Sequence, residues 1–270
     1  MNKLLYVAMS GAKTILTRQA TNNHNLANLS TTGFREDLDA AKSFPMDDQT
    51  LPTRVFVDVE QSGINADRGT IINTGRDLDI AIQGEGLLAV LNPDGSESYT
   101  RAGNLRVGPD GLIETADGFA VVGNNGPIVV PPYETLEISE DGTISIQSPG
   151  DAGANLAVID RIKLVNPDET QLAKNDNGLL ELRPQLTKKT VITATPDGIE
   201  TTTETGLDAA DAIAPADGTV SIMSGALETS NVNPARSLVT MVELSRLFEM
   251  QMKMMKVAEE NDAANNRLLT

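Results

Sequence analysis

Near the start of the chain hydrophobic positions recur every three or four residues: Leu4, Leu5, Ala8, Gly11, Ala12, Ile15, Leu16 and Ala20, then Leu26 and Ala27. That spacing is one face of an α-helix, predicted from residue 2 to about residue 29 and about 42 Å long. The stripe gives way to NNHNLANLSTTGFR, residues 22–35. There Ser30, Thr31 and Thr32 compete for backbone hydrogen bonds and Gly33 permits a positive φ, so the helix is expected to stop. At the other end Leu238, Met241, Ser245, Phe248, Met252 and Met255 alternate at intervals of three and four, predicting a second helix from Pro234 to about Leu268. Leu244, Leu247 and Val257 widen its apolar face beyond a two-helix seam. Asn233 as N-cap and Pro234 as first helical residue mark where it begins. Two long helices with surplus apolar surface at opposite ends of one chain are expected to pair with each other and then with neighbours.

Between them the period changes to two. RVFVDVE sets Val55, Val57 and Val59 against Phe56, Asp58 and Glu60, and LDIAIQ sets Leu78, Ile80 and Ile82 against Asp79, Ala81 and Gln83. Turn signals recur at NPDG, GPDG, ADG, GNNGP and EDG between residues 92 and 142, each flanked by short β-rich runs. An antiparallel meander without helices is expected over 55–146, followed by a loop at 148–155 and further strands in LAVIDRIKLV and GLLELRP. Residues 194–217 hold six acids and no base, which predicts an exposed, mobile insertion. TVSIMSGALETSNVNP then leads back, extended, to the second helix. The expected fold is α+β: a mainly antiparallel β central domain over 37–233, with residues 1–36 and 234–270 pairing as a discontinuous helical domain.

Composition narrows the chemistry. With 270 residues, 40% of them hydrophobic, the chain can bury a substantial core. It has no cysteine and one histidine, which removes disulfides, thiolate nucleophiles and histidine-rich metal sites and leaves carboxylates as the plentiful reactive groups. No apolar run reaches the ~20 residues of a membrane span, and no cleavage site follows the short apolar patch of MNKLLYVAMSGAK. The net charge of −17 is uneven: residues 1–35 carry four bases and no acid, 234–270 balance five against five, and the middle holds −21. A body so acidic repels nucleic acid and anionic membrane alike.

The individual candidates for chemistry are weak. His24 stands alone among amides and reads as a packing or surface residue. The Asp-Gly pairs are explained by turn chemistry, since no calcium-binding loop pattern accompanies them. A carboxylate pair for glycoside hydrolysis lacks an aromatic platform in a chain that is 3% aromatic. GEG, residues 84–86, precedes another strand and reads as a bend, and Asn28-Leu29-Ser30 matches a glycosylation sequon by chance. No catalytic, cofactor-binding or metal-binding residue is assigned. FEMQMKMMK, residues 248–256, reads as core filler or, the preferred reading, as an adaptable contact surface, because unbranched methionine repacks against partners that differ in shape. The amides of residues 22–28 read either as a helix-terminating loop or as buried groups that bond across chains and fix register.

These segments together resemble one family. NNHNLANLSTTGFR resembles the N-terminal signature of the bacterial flagellar rod and hook proteins, through Asn22, Asn23, Asn25, Leu26, Ala27, Asn28, Thr32, Gly33 and Phe34. TGRDLDIAIQGEGLLAV, DGSESYTRAGNL and LETSNVNPARSLVTMVELSRLFEMQMKMMK resemble further family hallmarks in the same order, and the likeness to proximal-rod members is the strongest. The resemblance implies a structural axial subunit whose terminal helices form a coiled-coil inner domain and whose subunits stack helically, head to tail, in the basal-body rod of the periplasm. It implies assembly contacts at Leu4, Ala8, Gly11, Ile15 and the signature residues on one side. On the other they are Ser230, Asn231, Val232, Asn233, Leu238, Met241, Phe248, Met252 and Met255. The partners implied are other rod subunits, copies of the same chain and the flagellar type III export apparatus, with export that needs no cleaved signal; no cofactor, small-molecule substrate, nucleic acid or membrane insertion is implied. A distal-rod or hook-type subunit, a carboxylate-dependent enzyme and a ligand-binding β-domain are the alternatives.

Overall fold

The computed structural model describes residues 3–45, 55–150, 156–168, 171–175, 177–183, 186–195, 198–207 and 213–268. The chain divides into two compact units, residues 1–69 with 229–270 and residues 70–228.

The first unit is built on two helices, α1 (Lys3–Ala27) and α2 (Pro234–Leu268). They pack on each other antiparallel: Asn22 Nδ2 donates to the Ser237 carbonyl at 3.0 Å, while Gly11, eleven residues earlier, lies against Gln251. Both helices end where their sequences dictate. After Ala27 the chain turns through residues 28–33, and Gly33 takes a φ of 66°, a left-handed conformation that costs a residue with a Cβ. At the start of α2 the Asn233 side chain accepts the Arg236 N–H at 3.1 Å, as an N-cap does. Strands Asp37–Pro45 and Val55–Ile64 pair antiparallel and lie along α1, with a register shift between Leu38 and Asp39. The alternation in RVFVDVE was legible as a strand, but it serves the helical unit instead of opening the meander.

Among its described residues the second unit is antiparallel throughout. Its largest sheet has nine strands, beside a three-stranded sheet made by Thr135–Ile138, Thr143–Gln147 and Ala157–Arg161. One core of Ile80, Leu88, Val90, Leu105, Ile113, Ile144, Ile146, Ile162 and Ile222 fills it. Turns fall at the expected Asp-Gly pairs, with Gly95, Gly111, Gly118 and Gly142 at φ between 78° and 90°. The carboxyls of Asp94 and Asp141 are held below the ordinary range, first by the hydroxyl and then by the N–H two residues on; at Asp217 the Thr219 N–H leads. GEG is a bend, with Gly84 and Gly86 at φ of 84° and 133° between two strands. Gly103 admits no side chain, because a Cβ there would lie 1.8 Å from the Ile80 carbonyl oxygen.

Two expectations need adjustment. Strand Ile80–Gln83 pairs with Ser221–Ser224, near the far end of the unit, and not with its sequence neighbour. Alternation specifies that a strand exists and which face is buried, but leaves its partner open. Residues 198–207 of the stretch expected to be a mobile insertion form a strand paired over ten residues with Leu186–Thr195. Threonine and isoleucine suit a pleated ribbon in spite of the acids among them. Residues 208–212 of that stretch, and 151–155 of the expected loop, lie outside the described residues.

Candidate assembly surface

The amides that end α1 are spent on backbone. Asn25 is buried and brackets Asp37: its Nδ2 donates to the Asp37 carbonyl at 3.0 Å and its Oδ1 accepts the Asp37 N–H at 2.9 Å. Asn231 does the same work between three segments. Its Oδ1 accepts the Glu36 N–H at 2.8 Å, and its Nδ2 donates to the carbonyls of Asn65 and Asp67 at 2.9 and 2.7 Å. Asn28 Nδ2 returns to the His24 carbonyl at 2.9 Å, and Thr31 donates to Asn28 Oδ1 at 3.1 Å. Arg35 donates to the Asp67 carbonyl. Irregular backbone near a helix terminus must find partners for its N–H and C=O groups, and here asparagine supplies both a donor and an acceptor at each point. His24 Nδ1 lies 2.7 Å from Asp37 Oδ2, its ring set edge-on to Phe34 at 5.7 Å between centroids. The lone histidine thus packs and anchors.

A polar groove of about 250 Å³ lies beside this network, lined by Arg18, Thr21, Asn22, Asp39, Arg236 and Thr240 among others. Burial pushes the Asp39 carboxyl up, against the hydroxyl of Thr21 bonded at 3.0 Å and the charge of Arg18. The groove holds no hydroxyl–imidazole pair suited to nucleophilic attack. Among the described residues no group of three His, Asp or Glu is placed to hold a metal ion, and no helix is long and apolar enough to cross a membrane.

The helices carry the remaining surface. Toward α1, α2 presents Met241, Leu244, Phe248, Gln251, Met255 and Ala258, all buried or half-buried. On the opposite side, within an arc of about 80° at 100° per residue, it presents another apolar row. That row is Val239, Val242, Met250 and Val257, each 51–60% exposed. Helix α1 buries Ala8, Ala12 and Ile15 and leaves Leu5, Met9 and Leu16 exposed along an adjoining stripe. A helix that is apolar on two opposite sides is one made to be enclosed.

The sequence-derived residues divide accordingly. Ala8, Ile15, Asn25 and Val232 are buried; Gly11, Asn22, Leu26, Asn28, Thr32, Gly33, Phe34, Ser230, Asn231, Met241, Phe248 and Met255 are half-buried; Ala27 and Asn233 are exposed. Leu4 lies on α1, with its side chain outside the described set. Leu238 and Met252 are 52% and 48% exposed. Sequence reasoning missed Asp37, Asn65 and Asp67, the partners of the amides, which no local pattern marks. Of the outer row of α2 it named Val257 as widening the apolar face and held Met250 within residues 248–256, but it missed Val239 and Val242.

The chain resembles known proteins along its whole length. The family model described as "Flagellar hook protein FlgE/F/G D1 domain" matches residues 81–146, and that of "Flagellar basal body rod FlgEFG protein C-terminal" matches 223–268. The flagellar basal-body rod protein FlgF of Salmonella typhimurium strain LT2 is 39% identical over 270 residues, which span 100% of this chain and 99% of that one. FlgF of Escherichia coli K12 is 37% identical over 272 residues, with the same coverage. The rod protein FlgG of Bacillus subtilis 168 is 29% identical over 279 residues, 96% of each chain. The chain belongs to the flagellar basal-body rod proteins, a structural and non-enzymatic family, and within it is most like FlgF.

Proposed function

We propose that this chain builds the proximal part of the rod, with α1 and α2 as a coiled-coil inner domain and successive subunits stacked head to tail around the rod axis. The single observation that carries the reading is the second apolar side of α2. The row of Val239, Val242, Met250 and Val257 faces away from α1 and is left uncovered in one chain. A neighbour's helices are the natural cover, since that apolar area gains from leaving water. A head-to-tail contact does not close on itself and so generates a filament. The partners are other rod subunits and further copies of the chain, delivered through the type III export apparatus, and the place is the periplasmic rod. The work is mechanical, transmission of torque from the inner-membrane motor outward.

The test is a clean deletion strain, with basal bodies isolated and viewed by electron microscopy. Missing or truncated rods, restored by the wild-type chain and not by Phe248→Asp, are expected. Complete rods in the deletion strain would sink the assignment.

A further inference from the structure

The chain passes between its two compact units twice, at residues 69/70 and 228/229. The strands beside these crossings pair with one another. Ile71, Ile72 and Asn73 run antiparallel to Glu228, Leu227 and Ala226, so entrance and exit leave from the same end of one short ribbon. A pull on both crossings therefore acts along both strands together. It tends to draw the ribbon out of the β-rich unit, not to separate its strands, and resistance must come from what ties the ribbon to the rest of that unit.

Two residues, Asp79 and Glu228, contribute such ties. At the far end of the ribbon the Asp79 carbonyl accepts the N–H groups of Gly225 and Ala226 at 2.7 and 3.3 Å, and its Oδ2 accepts the Thr74 hydroxyl at 2.7 Å. At the crossing itself, Arg101 Nε donates to Glu228 Oε2 at 2.7 Å, the two side chains 5% and 2% exposed. Arg101 Nη2 also donates to the carbonyls of Ile82 and Gly84, at 3.2 and 2.8 Å. The guanidinium thus joins the last residue of the unit to the strand Ile80–Gln83 and the bend after it. An ion pair buried this deeply adds little equilibrium stability over apolar side chains of the same shape. What its rigid fork adds is fixed geometry, a set of short directional bonds that a small displacement breaks, where apolar surfaces would slide.

We propose that Arg101 and Glu228 are the anchor that holds the ribbon in the β-rich unit against tension between the units, a positioning role in load transmission. The rod-subunit reading supplies the source of the load; the anchor is a property of the single chain. Because the chain contains no cysteine, Glu249→Cys, exposed on α2, and Asp110→Cys give two unique handles for single-molecule pulling on the full-length protein, and the folded helical unit passes the load to both crossings. Glu228→Gln is expected to lower the force of the first rupture about twofold, and Arg101→Lys, which keeps the charge but not the fork, to lower it as well. Glu97→Gln breaks another largely buried pair, with Lys163 at 2.7 Å, and is expected to leave that force unchanged. Unchanged force in both anchor variants, or an equal loss in Glu97→Gln, would overturn the proposal. Should Glu228→Gln fail to fold by circular dichroism, Arg101→Lys decides. The pulling is done on isolated chains, so its outcome is separate from the rod reading, whose failure would show as complete rods in the deletion strain.

Discussion

Asn25 serves Asp37 as a neighbouring strand would, one donor and one acceptor across its backbone. Asn25→Ala removes one donor and one acceptor from the buried Asp37 backbone and is expected to cost about 1–3 kcal/mol, read by denaturant unfolding followed through helical circular dichroism. Tyr99 plays a comparable part in the β-rich unit. Fully buried, its hydroxyl accepts the Ala214 N–H at 2.7 Å, and burial pushes its ionisation from 10.0 up to about 12. The folded state therefore favours the neutral phenol. Its contribution is complete below pH 10 and lost as the pH rises from 10 toward 12, an effect of up to about 3 kcal/mol. Tyr99→Phe should remove that alkaline slope in unfolding measurements while lowering stability at neutral pH by about 1–3 kcal/mol, because the Ala214 N–H then lacks an acceptor. The sequence displays the amides around α1 plainly, yet their partners in Asp37, Asn65 and Asp67 lie in segments whose proximity only the fold creates.

Between elements, the informative variants separate the two sides of α2. Phe248, half-buried toward α1, cannot become charged cheaply: Phe248→Asp should cost several kcal/mol in the helical unit and leave the β-rich unit folded, seen as selective loss of helical signal. Met250 is 56% exposed, so Met250→Glu should move the melting of the isolated chain by no more than about 0.5 kcal/mol and still prevent assembly. The three-and-four spacing announced both helices, and residues 30–33 and Asn233-Pro234 marked where the first ends and the second begins. It did not settle which side of α2 meets α1, because a helix apolar on opposite sides fits more than one seam. The frame through Leu238, Ser245 and Met252 is as regular as the observed one through Leu244, Gln251 and Ala258; the two share Met241, Phe248 and Met255.

Over the whole molecule the charge is segregated. The helical unit balances 12 bases against 13 acids, while the β-rich unit sets nine bases against 25 acids, a net −16. Bodies so acidic repel at low ionic strength, which favours the nearly neutral helices as the proposed contact between copies. Isolated chains are accordingly expected to remain monomeric at low salt, with uncovered helices open to attack. Brief limited proteolysis should trim them to about residues 70–228, and equal protection of the ends would argue that the helices need no partner. Composition and period made the two-part organisation legible, but not its border. The hairpin of residues 37–64 reads as part of the β-rich body until its packing along α1 is seen.

The most direct measurement of the central claim is electron microscopy of basal bodies from a deletion strain carrying Met250→Glu with Val257→Glu, after the isolated variant is shown to melt as the wild type does. Wild-type chain restoring complete rods and the double variant restoring none is the expected result, since only the outward side of α2 has changed. Complete rods built from the double variant would show that this face is not where subunits meet.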